Sequence, residues 1–171
     1  GDVFVYKNNN YLPRTFIAHE DRIVEGDILN EMDKEGVDFS QVVLLDEEPV
    51  GSFERINGGL IPPAQNCTEA AVIVTKTSTE YIIDACLNED GYVVLLEAWY
   101  PGWKAYVDGR EIDVLKANHA FKAVRLPAGE YRVMFEFESE TFRNGFWTTM
   151  ITLGVIVVLL ILLLLRPLLK K

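Results

Sequence analysis

From Asn144 to Leu165 the chain reads NGFWTTMITLGVIVVLLILLLL, 22 residues without a charge, thirteen of them Leu, Ile or Val. At 1.5 Å rise per residue, a helix of that length reaches about 33 Å, enough for a hydrocarbon core of about 30 Å. Each aliphatic side chain favours the bilayer by roughly 0.3–0.6 kcal/mol, so thirteen together favour insertion by several kcal/mol. A buried core helix is rarely apolar on every face for so long. The stretch is read as a transmembrane helix, and the preceding residues must fold outside the hydrocarbon.

The flanks give a direction. Arg166, Lys170 and Lys171 follow the helix, whereas Glu136, Glu138, Glu140 and Arg143 precede it. Basic residues stay on the cytoplasmic side, so the C-terminus is expected inside and residues 1–143 extracytoplasmic. Phe142, Phe146 and Trp147 fall where an aromatic belt meets the outer headgroups. An exported domain needs an export signal upstream, yet the chain opens GDVFVYKNNN, without Met or an apolar run. The expectation is a removed signal peptide or the tail of a longer membrane protein.

All 26 acidic residues precede the helix, together with thirteen of the 16 basic ones, so that portion carries a net charge near −13. Such a surface repels nucleic acid and anionic headgroups, and serves solubility. Two cysteines, Cys67 and Cys86, flank an expected hairpin. A two-residue loop at Lys76-Thr77 would place them opposite each other, and a loop over Thr77 to Glu80 would not. Buried free thiols are the default reading, with a disulfide conceivable in an oxidising compartment.

Along the chain, Val3 to Tyr6 reads as a short strand and Thr15 to Val24 as a second extended run. Asp27 to Glu35 has helical spacing, with Gly36 placed to terminate it. Val42 to Leu45 reads as a buried strand, and the Gly- and Pro-punctuated stretch from Asp46 to Thr68 as a long connection. Residues 1–68 thus form a small α+β segment. Short strands then follow closely: Ala70 to Lys76, Glu80 to Leu87, Tyr92 to Tyr100, Trp103 to Val107, Arg110 to Leu115, Phe121 to Leu126 and Tyr131 to Phe137. Asp108-Gly109 is a type I′ hairpin signal, because both central positions need positive φ. In the last strand Tyr131, Val133, Phe135 and Phe137 share one face, opposite Arg132, Met134 and Glu136. The fold class expected is mainly β: an antiparallel β-sandwich of jelly-roll or Ig-like type over residues 69–141, with the helix and a basic tail over 142–171.

Catalytic signals are missing. His19 and His119 are the two histidines, and HxH, HExxH, CxxC and nucleophile-elbow spacings are absent. Structural or surface roles are expected for both, with no catalytic, cofactor or metal residue in this chain. The densest constellation is Glu97-Ala98-Trp99-Tyr100-Pro101-Gly102-Trp103-Lys104-Ala105-Tyr106. Trp99, Tyr100, Trp103 and Tyr106 could stack on sugar C–H faces, with Glu97 or Lys104 binding hydroxyls. The competing reading is packing that locks a strand corner.

The stretch from Leu95 to Arg110, which includes this constellation and Asp108-Gly109, resembles a signature of the YfhO family of bacterial membrane proteins. Leu115-Lys116-Ala117-Asn118-His119-Ala120-Phe121-Lys122-Ala123-Val124, Leu126 to Val133 and, upstream, Leu12-Pro13-Arg14-Thr15-Phe16 extend the resemblance. It implies a multi-pass protein of the cell membrane, similar to GT-C glycosyltransferases that use polyprenyl-phosphate sugars to modify cell-wall glycopolymers. Their catalytic acidic residue lies in an early extracytoplasmic loop between N-terminal membrane helices, so the resemblance transfers no catalytic residue here. The function expected is an accessory or acceptor-positioning domain of such a protein. The alternative is a non-catalytic, membrane-anchored carbohydrate- or protein-binding module. A sortase-anchored surface protein is disfavoured, since no LPxTG-like motif lies between Glu138 and Gly145.

Overall fold

The computed structural model describes residues 11–34, 36–49 and 68–165. Two compact units result, residues 1–137 and residues 138–171. In the first, the strands are β1 (Thr15–Ala18), β2 (Glu20–Ile23), β3 (Val42–Leu45), β4 (Ala70–Lys76), β5 (Glu80–Leu87), β6 (Gly91–Leu95), β7 (Trp103–Val107), β8 (Arg110–Ile112), β9 (Leu115–Ala117), β10 (Phe121–Leu126) and β11 (Gly129–Phe137). One short helix, α1 (Ile28–Met32), lies between β2 and β3. Asp27 caps it, its Oδ1 accepting from the Leu29 amide at 3.0 Å.

The strands form two sheets, a six-stranded one ordered β1-β6-β10-β9-β3-β2 and a five-stranded one ordered β4-β5-β11-β7-β8. All pairings are antiparallel except β2 with β3, which run parallel. One core cluster takes Tyr81, Ile83, Ala85 and Leu87 from β5, Val133 and Phe135 from β11, and Ala105 and Val107 from β7. From the other sheet it takes Val93 and Leu95 of β6 and Val124 and Leu126 of β10. The sheets therefore pack face to face, as the alternation in β11 requires.

A second cluster occupies the opposite face of the six-stranded sheet, with Phe16, Ala18, Val43, Leu45, Tyr92, Val94 and Ala123. That explains the unbroken apolar run in β6: every residue of the strand is buried, odd positions on one core and even positions on the other. The α+β segment expected over residues 1–68 supplies β1, β2 and β3 to this same sheet.

Four expectations change. The extended run from Thr15 to Val24 breaks at His19 into β1 and β2, which have different partners, β6 and β3. The strand expected from Tyr92 to Tyr100 ends at Leu95, where the chain leaves the sheet. The run from Arg110 to Leu115 splits, because β8 pairs with β7 in one sheet and β9 with β10 in the other. Cys86, expected to be a free thiol, is disulfide-bonded. Its ladder partner across β4 is Ala70, so the bond is made outside the ladder. Cys67, the chain's other cysteine, lies outside the described residues, as does the Val3 to Tyr6 strand.

The hairpins follow the turn chemistry. Asp108 and Gly109 have φ of 50° and 78°, the left-handed pair that a type I′ turn needs. The β4–β5 loop runs over Thr77, Ser78 and Thr79, closed by the Thr77 amide donating to the Glu80 carbonyl at 2.8 Å.

The second unit is α2 (Glu140–Leu165), preceded by Ser139, whose Oγ accepts from the Phe142 amide at 3.1 Å. Thr141–Leu162 is long and apolar enough to cross a membrane, and none of that window is buried against protein. The hydroxyls of Thr148, Thr149 and Thr152 donate to carbonyls one turn back, at 2.8–2.9 Å. In hydrocarbon each hydroxyl needs such a partner.

Candidate functional site

β6 ends at Leu95, and the next seven residues make a corner before β7 begins. The Leu96 amide donates to the Arg14 carbonyl at 2.8 Å, and the Trp99 amide to the Ala120 carbonyl at 2.7 Å. Tyr100 to Trp103 is a turn in which the Tyr100 carbonyl accepts from the Trp103 amide at 3.3 Å. Gly102 sits at φ 112°, which L side chains rarely adopt, after a proline whose own φ suits the turn.

Beneath this corner lies a charged and aromatic cluster. Glu97 Oε2 accepts from the Tyr81 hydroxyl at 2.5 Å and from Arg14 at 2.9 Å. Lys122 is fully buried, and its Nζ donates to the Ala98 carbonyl at 3.1 Å. The same ammonium stands 3.4 Å from the centre of the Trp103 ring, a close cation–π contact. Trp103 also packs on Phe137 and Tyr81, with ring centres 5.5 Å and 6.1 Å away.

Protonation follows from these contacts. The Tyr81 hydrogen bond, helped by the charges of Lys122 and Arg14, holds the Glu97 carboxyl below its ordinary range. Burial, followed by the Glu97 contact, pushes the Tyr81 phenol up. Burial brings Lys122 down to about 8, an effect that Glu97 partly offsets. At neutral pH the cluster therefore holds a buried ammonium and a carboxylate under an aromatic roof.

The four aromatic residues singled out in the sequence separate. Trp103 points inward onto the core between the sheets, and Trp99 is half-buried. Tyr100 is 64% exposed, its ring 6.2 Å from Phe137. Tyr106 has the opposite parity from Trp103 in β7, and lies opposite Met134 and Glu111 on the outer face of its sheet. Phe137 thus brings Tyr100 and Trp103 together, whereas Tyr106 lies on the other face of the sheet. Glu97 is engaged by Tyr81 and Arg14, a role its place in the sequence did not suggest.

Lys122 and Arg14 carry the cluster and had no assigned role. For Lys122 a signal existed: it shares parity with Val124 and Leu126 in β10, which places it on the buried face. Arg14 had none, since its partner lies 83 residues away. Among the described residues, no group of three or more His, Cys, Asp or Glu could hold a metal ion.

The segments meeting here are those carrying the resemblance: Leu12 to Phe16 through Arg14, Leu95 to Trp103 through Glu97 and the corner, and Leu115 to Val124 through Ala120 and Lys122. No curated protein and no solved structure matches the chain. The family model described as "Bacterial membrane protein YfhO" matches residues 64–164, more than half of the sequence. The chain belongs to the YfhO family of bacterial membrane proteins.

Proposed function

We propose that this chain works as the extracytoplasmic C-terminal domain and last membrane helix of a lipid-linked-sugar-dependent glycosyltransferase of the cell envelope. Its sandwich helps to position the acceptor glycopolymer. The observation that carries this reading is the meeting of three signature segments at one corner, where a buried Lys122 and the Arg14–Glu97–Tyr81 chain brace Trp103. Ion pairs and buried lysines cost desolvation energy, so a fold seldom carries them without a shape to hold. The shape held here presents Tyr100 to solvent beside Trp99. An exposed, rigidly backed aromatic ring can stack on a sugar face.

The test is a transferase assay on the full-length protein with a polyprenyl-phosphate sugar and cell-wall acceptor, compared with a version lacking residues 1–141. Loss of activity or altered acceptor choice is expected, and unchanged behaviour in both overturns the reading. Single variants sharpen it. Tyr100→Ala should weaken acceptor use while changing stability by no more than about 0.5 kcal/mol. Trp103→Ala removes a packed indole and should cost about 3 kcal/mol of stability whatever the function.

The exposure of Tyr100 also favours a second reading, a carbohydrate-binding module without a catalytic role. Glycan binding by the full chain that Tyr100→Ala abolishes, in a full-length protein without transferase activity, would select it.

A further inference from the structure

His19 sits at the break between β1 and β2, with only 17% of its side chain exposed. Its Nε2 is 3.0 Å from Oε2 of Glu69, immediately before β4 in the other sheet. Its Nδ1 is 3.2 Å from the Asp90 carbonyl and 3.9 Å from Oε1 of Glu89, both in the β5–β6 turn. Each ring nitrogen therefore faces an acceptor, and only the doubly protonated imidazolium can donate to both. A neutral ring leaves one lone pair pointed at an oxygen.

The surroundings are built for this contact. Gly91 follows Asp90, and a Cβ there would come within 2.7 Å of Nδ1 of His19 and 2.8 Å of the Ala18 carbonyl. The turn is tied down further, the Asp90 carboxylate accepting from the Ala128 amide at 3.0 Å and the Glu69 carboxylate from the Asn88 amide at 3.3 Å. The charged groups facing the ring are thus Glu69 and Glu89, with the Asp90 carbonyl between elements, and all favour the cation.

We propose that His19 is a pH-sensitive latch between the two sheets: protonated, it ties the β1 end to Glu69 and the β5–β6 turn, and proton loss releases the β1–β4 edge. Among the described residues both strands lie at sheet edges, β1 of the six-stranded sheet and β4 of the five-stranded one, each held by one ladder. Burial alone would lower the His19 pKa, but the hydrogen bonds to Glu69 and Asp90 and the charges of Glu69 and Glu89 outweigh it and raise it. The latch therefore contributes fully below about pH 6.5, the unfolded value, and fades as pH rises through the higher folded value. Arg14 directly precedes β1, so release at one end of this four-residue strand loosens the Arg14–Glu97 contact at the other. That last consequence rests on the function proposed above; the latch itself does not.

Hydrogen exchange on the full chain in nanodiscs from pH 5.5 to 8.5, corrected for intrinsic rates, tests it. Amides of β1 and β4 should lose protection relative to β10 and β11 as pH rises, by up to about tenfold for each pH unit crossed. His19→Gln should abolish the step, and Glu69→Gln should move it to lower pH while leaving the histidine in place. Edge protection that tracks β10 across the range, or a step that survives His19→Gln, overturns the latch. Because exchange reads the latch alone, its failure is separate from any failure in the transferase assay.

Discussion

At the residue scale Lys122 carries the most unusual chemistry. It is buried, its ammonium shares one carbonyl and one indole face, and burial lowers its pKa from 10.5 to about 8. Below pH 8 both folded and unfolded chains hold the proton, and the fold bears the full cost of burying it. Between pH 8 and 10.5 the unfolded chain binds more protons than the folded one, so stability rises with pH. Over pH 8 to 10 the expected gain is on the order of 2–3 kcal/mol. The window closes above 10, because Tyr92, pushed up to about 12 by burial and then by Asp21, makes stability fall there. Lys122→Met keeps the stem and removes the charge. Denaturant unfolding of the full chain should show the rise in the wild type and not in the variant. A parallel pH dependence in both would disprove the assignment. The parity of β10 placed this lysine on the inner face, yet its use could not be read, because Ala98 and Trp103 reach it only through the fold.

At the element scale the weakest joint is β9, three residues long and paired to β3 through a single register position, Leu45 with Ala117. Asn118 extends that joint. Its amide donates to the Leu44 carbonyl and its Oδ1 accepts from the Leu44 amide, both at 2.8 Å, so it pairs like one more strand residue. Asn118 is 4% exposed and holds φ 47°, a conformation that asparagine tolerates better than most residues. Asn118→Ala leaves the Leu44 amide buried without a partner, at a cost of about 2 kcal/mol. Asn118→Asp keeps an acceptor and should recover part of it, whereas equal losses in melting experiments would show that backbone strain dominates. Elements with their own periodicity or turn chemistry were legible in advance: β4, β5, β7, β10 and the Asp108-Gly109 turn. What failed was where an extended run changes partner, within one sheet for β1 and β2 and between sheets for β8 and β9. Arg110 to Leu115 and Thr15 to Val24 each look continuous, because local sequence records extension and not the choice of partner.

At the scale of the whole molecule, legibility splits the same way. The apolar helix announced itself through composition alone, and the two-sheet architecture through alternation. The corner cluster did not, since its members come from four separate parts of the chain and meet only after both sheets close. The proposed orientation across the membrane draws on two independent arguments. Arg166, Lys170 and Lys171 follow the helix, which favours a cytoplasmic C-terminus. A disulfide at Cys86 persists in an oxidising compartment, which agrees with the proposed extracytoplasmic sandwich. The first depends on charge and the second on redox chemistry, so agreement between them is informative. Protease added to intact spheroplasts should therefore degrade the sandwich and spare a tag placed after Lys171. Cys86 should resist alkylation until reductant is added. Reduction should also lower the melting temperature of the sandwich, because the bond restrains the unfolded chain as well as the folded one. A tag that is cleaved while the sandwich survives would reverse the polarity. It would also overturn the proposed acceptor-positioning role, because a domain on the inner face could not meet an acceptor glycopolymer on the outer one.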